Sequence, residues 1–112
     1  MATTNDLCKL HTLEQVKRVA YSAGSHWFDR SNLRYFSSRI SENVYPIPGG
    51  ALFVSSEKFK GLYADDGERL YTVRSCSADG KIDTVGDFQQ WKTARQAHAR
   101  AAWLQSDGFS LS

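Results

Sequence analysis

The first amphipathic pattern in the chain lies between His11 and Gly24. Its apolar residues recur every three or four positions, as on one face of a helix: Leu13, Val16, Val19 and Ala20. Thr12 precedes this stripe, and Gln15 lies three residues after Thr12, which is the spacing of a capping box. The sequence therefore predicts a helix that begins after Thr12 and ends near Gly24.

A second helical pattern begins at Asp29 or Ser31 and reaches Ile40. Three apolar residues are spaced i, i+3 and i+7 along it: Leu33, Phe36 and Ile40. An aromatic stretch leads into this segment: His26, Trp27 and Phe28. These positions predict a second helix whose apolar side faces the core.

Strand-like segments follow where prolines and glycines interrupt the chain. The stretch from Val44 predicts an extended segment and then a turn at Pro48-Gly49-Gly50, and the compact apolar run from Ala51 to Val54 predicts a strand. Residues 69–75 and 81–85 predict two further strands, and the Asp79-Gly80 step between them favours a tight reversal. These last two strands are therefore expected to form an antiparallel hairpin.

The last pattern, near the C-terminus, is a helix rich in alanine. Thr93 and Gln96 form a second capping box, and small apolar residues then recur on one face: Ala94, Ala97, Ala101 and Leu104. Alanines at these positions let a helix approach a sheet closely, so this face is expected to pack on the strands. Arg95, Gln96 and Arg100 are left on the outward sides, either simply solvated or available to a partner.

Together these elements predict a single α+β domain over residues 1–112, in the order α-α-β-β-β-α, with helices packed on a three-stranded antiparallel sheet. Residues 1–10 and 106–112 are predicted to be flexible ends. The predicted core comprises Leu13, Val16, Phe28, Leu33, Phe36, Ile40, Phe53, Val73, Phe88, Ala97, Ala101 and Leu104.

Composition and charge limit the function classes. At 112 residues the chain is long enough for one domain and too short for two. Its 14 basic and 12 acidic residues give a net charge of only +2, far from the strongly basic footprint of a dedicated nucleic-acid binder. Cys8 and Cys76 form no metal or redox motif, which favours reduced thiols in a cytosol. No apolar run is long enough to span a bilayer, so no membrane partner is expected.

No motif of the sequence carries a catalytic signature. His11, His26 and His98 lack the spacing of a zinc site, and the glycines form neither a P-loop nor a nucleophile elbow. Cys76 and His26 could pair only by chance in the folded chain, and residues 65–68 suit a solvated turn better than a metal-binding loop. The sequence therefore predicts a protein that is not an enzyme and that uses no cofactor and no metal.

A succession of short segments carries a family resemblance: HWF, RYFSSRI, FVSSEKF, RLYTVR, GKIDTVGDFQ and ARQAHARAA. It resembles a group of small uncharacterised proteins encoded mainly by tailed bacteriophages, over most of residues 24–104. The resemblance implies a viral origin and a location in the host bacterial cytoplasm. It brings no activity and no catalytic residues.

The C-terminal half alone, with three strands followed by a helix, is weakly similar to plant AP2-type and integrase arm-type DNA-binding domains. Those domains read the major groove with an exposed sheet face. The strand residues that such a face would present are Arg69, Tyr71 and Val73 on one side and Leu70, Thr72 and Arg74 on the other. Few of them are basic, and Asp79 and Asp83 lie close by, so the expected arginine-rich face is thin.

Two functional hypotheses follow. The first is a non-catalytic phage accessory protein that binds a host macromolecule and inhibits a host or defence protein, in an anti-CRISPR-like or other host-takeover role. The alternative is a double-stranded DNA-binding protein that uses the hairpin and the C-terminal basic helix. Because arginine and aromatic residues dominate interface hot spots, the candidate partner-binding residues are His26, Trp27, Arg30, Arg34, Arg39, Arg74, Lys81, Arg95, Arg100 and Trp103. The ordinary alternative is that the two tryptophans are core and the arginines are solvated.

Overall fold

The computed structural model describes residues 9–25, 27–29, 39–57 and 69–111. Within these ranges the chain is a small α+β domain with two helices and one antiparallel sheet of five strands. The elements are α1 (Leu13–Ser22), β1 (Arg39–Ile40), β2 (Tyr45–Ile47), β3 (Gly50–Glu57), β4 (Leu70–Ser77), β5 (Ile82–Val85) and α2 (Ala94–Ser106).

Strand β3 is the centre of the sheet. The strand order is β1-β3-β4-β5. Strand β2 pairs with the beginning of β3, at Gly50–Leu52, on the same edge where β1 pairs with Ser55 and Ser56. The predicted α+β class and the antiparallel hairpin of β4 and β5 are confirmed. The predicted three-stranded sheet is corrected to five strands, because Arg39–Ile40 and Tyr45–Ile47 both add to the outer edge of β3.

Both helices begin at the predicted capping residues. The Thr12 hydroxyl accepts the Gln15 N–H at 3.1 Å, and the Gln15 side chain accepts the His11 N–H at 2.7 Å. The second helix repeats the arrangement, with Thr93 accepting from Gln96 at 3.1 Å. Each cap satisfies backbone donors that have no partner inside the helix, so these two short motifs locate the helix starts.

Alternation along β3 divides the core into two clusters, one on each face of the sheet. The face that packs against α1 and residues 27–29, here called the α1 face, buries Leu10, Val16, Ala20, Phe28, Ala51, Phe53 and Cys76. The opposite face, the α2 face, buries Ile47, Leu52, Val54, Val73, Ala97, Ala101 and Leu104. The alanine stripe of α2 therefore packs on the sheet as predicted.

Three predictions change in the structure. Ile40 was expected in a helix but lies in β1, where it pairs with Ser55 and packs on the α1 face. Phe88 was expected in the core, and this prediction is wrong: its side chain is 46% exposed, in the loop after β5. Leu13 is only half-buried. The predicted helix positions Leu33 and Phe36 lie outside the described residues.

The turn between β4 and β5 touches the end of α1. Gly80 has a φ of +94°, and a Cβ at this position would lie 2.3 Å from the Val19 carbonyl oxygen. Only glycine fits such a close approach at a positive φ. At the other end of the sheet, Leu10 and Leu111, from the two predicted flexible ends, donate backbone hydrogen bonds to the carbonyls of Gly50 and Pro48.

Candidate functional site

Helix α2 has two chemically different sides. Its inner side is the alanine and leucine stripe that is buried against the sheet. Its exposed side, called here the outer face of α2, consists of Arg95, Gln96, Ala99, Arg100 and Trp103. The inner side fixes the position of the helix, so the outer face is presented on a rigid element.

An arginine and a tryptophan meet on the outer face of α2. The Arg100 guanidinium lies 4.5 Å from the centre of the Trp103 ring, which is the geometry of a cation–π contact. Trp103 remains 52% exposed, although it is one of the largest apolar side chains in the chain. The pair therefore places an exposed indole beside a positive charge, and the two residues are one turn apart on the same helix.

Between residues 88 and 106, the charged side chains have a single sign. No Asp or Glu occurs between residues 88 and 106, and three cationic residues do: Lys92, Arg95 and Arg100. All three are exposed. The outer face of α2 is consequently a locally positive surface on a chain whose net charge is only +2.

Arg74, another predicted partner-binding residue, is held inside the molecule. Its Nη2 donates to Glu57 Oε1 at 3.2 Å, and the two side chains are only 12% and 3% exposed. Ser55 and Thr84 bond the same guanidinium, at 3.1 Å to Nε and 2.6 Å to Nη1. Thr72 donates to the second carboxylate oxygen of Glu57 at 3.4 Å. This network neutralises the charge of Arg74 within the fold.

Two aromatic rings enclose the same guanidinium. The ring centres of Trp27 and Phe88 lie 5.4 Å and 5.2 Å from it. Gln89, with a φ of +57°, donates its backbone N–H to Thr72 at 2.8 Å, which anchors the loop that carries Phe88. Phe88 therefore packs against this guanidinium and does not enter the apolar core.

Trp27 is half-buried on the α1 face. Its ring makes edge contacts with Phe28 at 4.8 Å and Phe53 at 5.6 Å between centres. Arg39, at the start of β1, is exposed. Lys81 is also exposed, in the turn before β5, where its Nζ lies 3.7 Å from an Asp83 carboxylate oxygen. The predicted site residues His26, Arg30 and Arg34 lie outside the described residues.

The structure thus brings some predicted residues together and separates others. Arg95, Arg100 and Trp103 share the outer face of α2, whereas Trp27 and Arg74 meet on the α1 face. The sheet lies between these two groups. Arg74 of the hairpin and the two arginines of the C-terminal helix, the two elements that the DNA-binding hypothesis combines, therefore do not form one surface.

A polar pair on the inner side of α2 was not predicted. The Tyr45 hydroxyl lies 2.8 Å from His98 Nδ1, between β2 and the helix. Burial lowers the pKa of His98 and raises that of Tyr45, because desolvation disfavours the charged form of each group. His98 is four residues after Ala94 and three before Ala101, so helical periodicity already indicated that it faces inward.

Cys76 is unsuited to nucleophilic chemistry in this environment. Desolvation, with a smaller contribution from the Asp79 carboxylate, raises the pKa of the buried thiol to about 12. The thiol is therefore protonated at neutral pH, whereas a nucleophile reacts as the thiolate. Among residues 9–25, 27–29, 39–57 and 69–111, no three His, Cys, Asp or Glu side chains group as metal ligands. Neither described helix has the length and apolar character needed to cross a membrane.

A protein-family model, described as a family of unknown function (DUF7447), matches residues 12–102. The chain belongs to this family. Membership confirms the expectation of an uncharacterised family, and the matched region runs from the cap of α1 into α2. No curated protein and no solved structure is significantly similar to the chain.

Proposed function

We propose that this chain is a small, non-catalytic accessory protein that acts by binding another protein through the outer face of α2. The observation that carries the proposal is the pairing of Arg100 with Trp103, whose indole is 52% exposed on a rigid helix. Tryptophan and arginine are the residues most enriched among interface hot spots. The target is a host or defence protein, the chain is of phage origin, and the complex forms in the host bacterial cytoplasm and inhibits the target.

Preorganisation supports this choice of surface. Ordering a free arginine side chain at an interface costs about 0.5–1.5 kcal/mol. Arg100 is already placed against the Trp103 ring, which reduces that cost. Ala99 and Gln96 lie beside the pair without a bulky or acidic side chain. A partner can therefore approach the indole closely.

The chemistry of the partner follows from the charge of the helix. Three cationic residues and no acidic residue between positions 88 and 106 favour a partner that presents carboxylates around an apolar pocket. Such a pocket would take the indole, and the carboxylates would pair with Arg95 and Arg100. Protein surfaces offer this combination of apolar pocket and negative rim.

A second candidate, double-stranded DNA, is favoured by the same absence of acidic residues around α2. Its phosphate contacts would be limited to Lys92, Arg95 and Arg100, because Arg74 is paired with Glu57. Three contacts correspond to a slope of about −2.7 in log affinity against log salt concentration. Both faces of the described sheet carry buried residues, so the exposed sheet face of the AP2-type mode has less support than the helix.

The test is affinity capture from bacterial host lysate by the tagged full chain, with and without nuclease digestion. The proposal predicts that a specific protein is retained after digestion, is lost with Arg100→Ala, and is kept with Arg18→Ala. Arg18 is the matched control because it is an exposed helical arginine, paired with Glu14 at 3.4 Å on α1. Two results together would select the DNA-binding alternative. Every partner would be lost on digestion, and the slope of log DNA affinity against log salt concentration would become shallower with each arginine removed.

A further inference from the structure

A cavity lined by both polar and apolar side chains lies between the α2 face of the sheet and the first turns of α2. Its volume is about 210 Å³, and its lining includes Arg39, Ser41, Ser56, Arg69, Tyr71 and His98. This position is separate from the outer face of α2, because His98 faces the sheet side of the helix while Arg100 and Trp103 are exposed. No described lining residue is acidic.

Two arginines and the serine that lies beside both of them in the sheet line this cavity. Arg39 is the direct cross-strand partner of Ser56 between β1 and β3, so their side chains project to the same face. Arg69 reaches the same serine, with Nη1 at 2.9 Å from Ser56 Oγ and 3.3 Å from its carbonyl oxygen. Within the described residues no carboxylate forms an ion pair with Arg39. A positive charge is thus left facing a cavity wall that is rich in donors.

His98 completes the wall from the opposite side. The Tyr45 hydroxyl lies 2.8 Å from its Nδ1, and in the tautomer in which that hydroxyl donates to Nδ1, Nε2 carries the proton and can donate to a ligand. Ala94, the first residue of the 13-residue helix α2, also lines the cavity. The N-terminus of a helix carries a partial positive charge that adds to the attraction for an anion.

We propose that this cavity binds a phosphate group, either free or as a small phosphate monoester. Arginine is the residue best suited to this group, since its guanidinium matches phosphate oxygens with two parallel hydrogen bonds. The groups that line the cavity come from β1, from Arg69 before β4, and from α2, so an anion bound there would be surrounded on three sides. A tetrahedral anion presents oxygens in more directions than a planar carboxylate does.

The size of the cavity limits the part of the ligand that it can enclose. Pockets for drug-sized molecules measure about 300–1,000 Å³, and this cavity has a volume of about 210 Å³. The cavity can therefore enclose a phosphate with at most a short organic group, and any larger group would extend through its open side into solvent. Tyr71 provides an aromatic wall for that group. The site extends the function beyond protein binding, since it takes a different ligand at a different place.

The test is isothermal titration of the full chain with inorganic phosphate, with glycerol 3-phosphate, and with acetate as the planar anion. We expect saturable binding of at least one of the two phosphates. Acetate should bind at least about tenfold more weakly than that phosphate. Arg39→Ala should weaken phosphate binding by about tenfold or more, as expected for a lost charge-assisted contact. Arg18→Ala removes the same charge from the exposed side of α1 and should leave the affinity unchanged.

A second measurement locates the bound anion. In nitrogen-detected NMR of the histidine side chains, phosphate should shift the His98 Nε2 signal and leave the His11 signals in place. Thermal melts establish that both arginine variants are folded, which is expected because Arg39 and Arg18 are exposed. Absence of saturable phosphate binding, equal losses in the two variants, or shifts spread over all histidines would each overturn the proposal.

Discussion

An arginine lies beside a tryptophan on each side of the sheet, and the two pairs differ in their exposure. On the α1 face, the Arg74 guanidinium lies 5.4 Å from the Trp27 ring and is paired with the buried Glu57. Beyond the α2 face, the Arg100 guanidinium lies 4.5 Å from the Trp103 ring on the surface of the helix. The same two residue types therefore contribute to the fold in one place and remain available in the other.

The two arginines differ in whether a counter-ion compensates their charge. A buried charge is tolerated only when a counter-ion and hydrogen bonds satisfy it, and Arg74 has both. Arg100 is solvated, so its contact with Trp103 adds little to stability. Variants on the α1 face should thus change the free energy of unfolding, whereas variants on the outer face of α2 should change binding.

The largest predicted effect is at Glu57. Glu57→Ala removes the counter-ion of Arg74 and leaves a buried charge uncompensated, which should lower the free energy of unfolding by about 3–5 kcal/mol. Chemical denaturation monitored by circular dichroism measures this loss. The double replacement Glu57→Leu with Arg74→Met should recover most of it, because a well-packed apolar pair has no charge to compensate. A single variant as stable as the parent would show that the ion pair is dispensable.

A smaller effect is expected from enlarging alanines on α2. Ala97 is fully buried against the sheet, so Ala97→Leu should cost about 1–3 kcal/mol through overpacking. Ala99→Leu makes the same change on the exposed outer face and should leave the free energy of unfolding nearly unchanged. Equal losses at the two positions would contradict the assignment of inner and outer sides.

The two helix caps should contribute equally to the free energy of unfolding. Thr12→Ala and Thr93→Ala each remove a hydroxyl that accepts a backbone N–H at 3.1 Å. Each should lower the free energy of unfolding by about 1 kcal/mol. Thr→Ser at the same positions keeps the acceptor and serves as the control. A serine variant that loses as much as the alanine variant would assign the effect to the methyl group instead.

The smallest predicted effect depends on pH. Burial lowers the pKa of His98 below its ordinary value of 6.5, so the unfolded chain takes up the proton more readily than the folded chain. Stability contributed by the neutral imidazole is therefore present above about pH 6.5 and is lost as the pH falls toward the lower folded pKa. Denaturation between pH 7.5 and 5.5 should show a steeper loss for the parent than for His98→Gln. Parallel curves would refute this assignment.

Local signals were sufficient to predict several elements. The two threonine-glutamine caps, the Asp79-Gly80 turn and the alanine stripe each depend on residues within one turn or one hairpin. Each appears in the structure. Val16, Phe28, Phe53 and Val73 are buried as predicted, because apolar periodicity reports directly which side of an element faces the core.

Features that depend on distant pairing were not predictable in this way. Glu57 and Arg74 meet because β3 and β4 align Phe53 with Arg74 and Ser55 with Thr72, a register that no local pattern specifies. Phe88 appeared to be core by hydrophobicity alone, yet it covers a guanidinium from outside. The cavity proposed to bind phosphate is lined by residues of β1, β3, β4 and α2. No contiguous sequence motif therefore predicts it.

The most direct test of the division between the two faces compares two tryptophans. Trp103→Ala should lower the free energy of unfolding by no more than about 1 kcal/mol, because half of the side chain is exposed, and should abolish capture of the partner protein. Trp27→Ala should lower the free energy of unfolding by about 2 kcal/mol or more, less than the 3–5 kcal/mol of a fully buried aromatic, and should retain capture where the chain is folded. Capture that survives Trp103→Ala, or a Trp103→Ala chain that is strongly destabilised, would contradict the account.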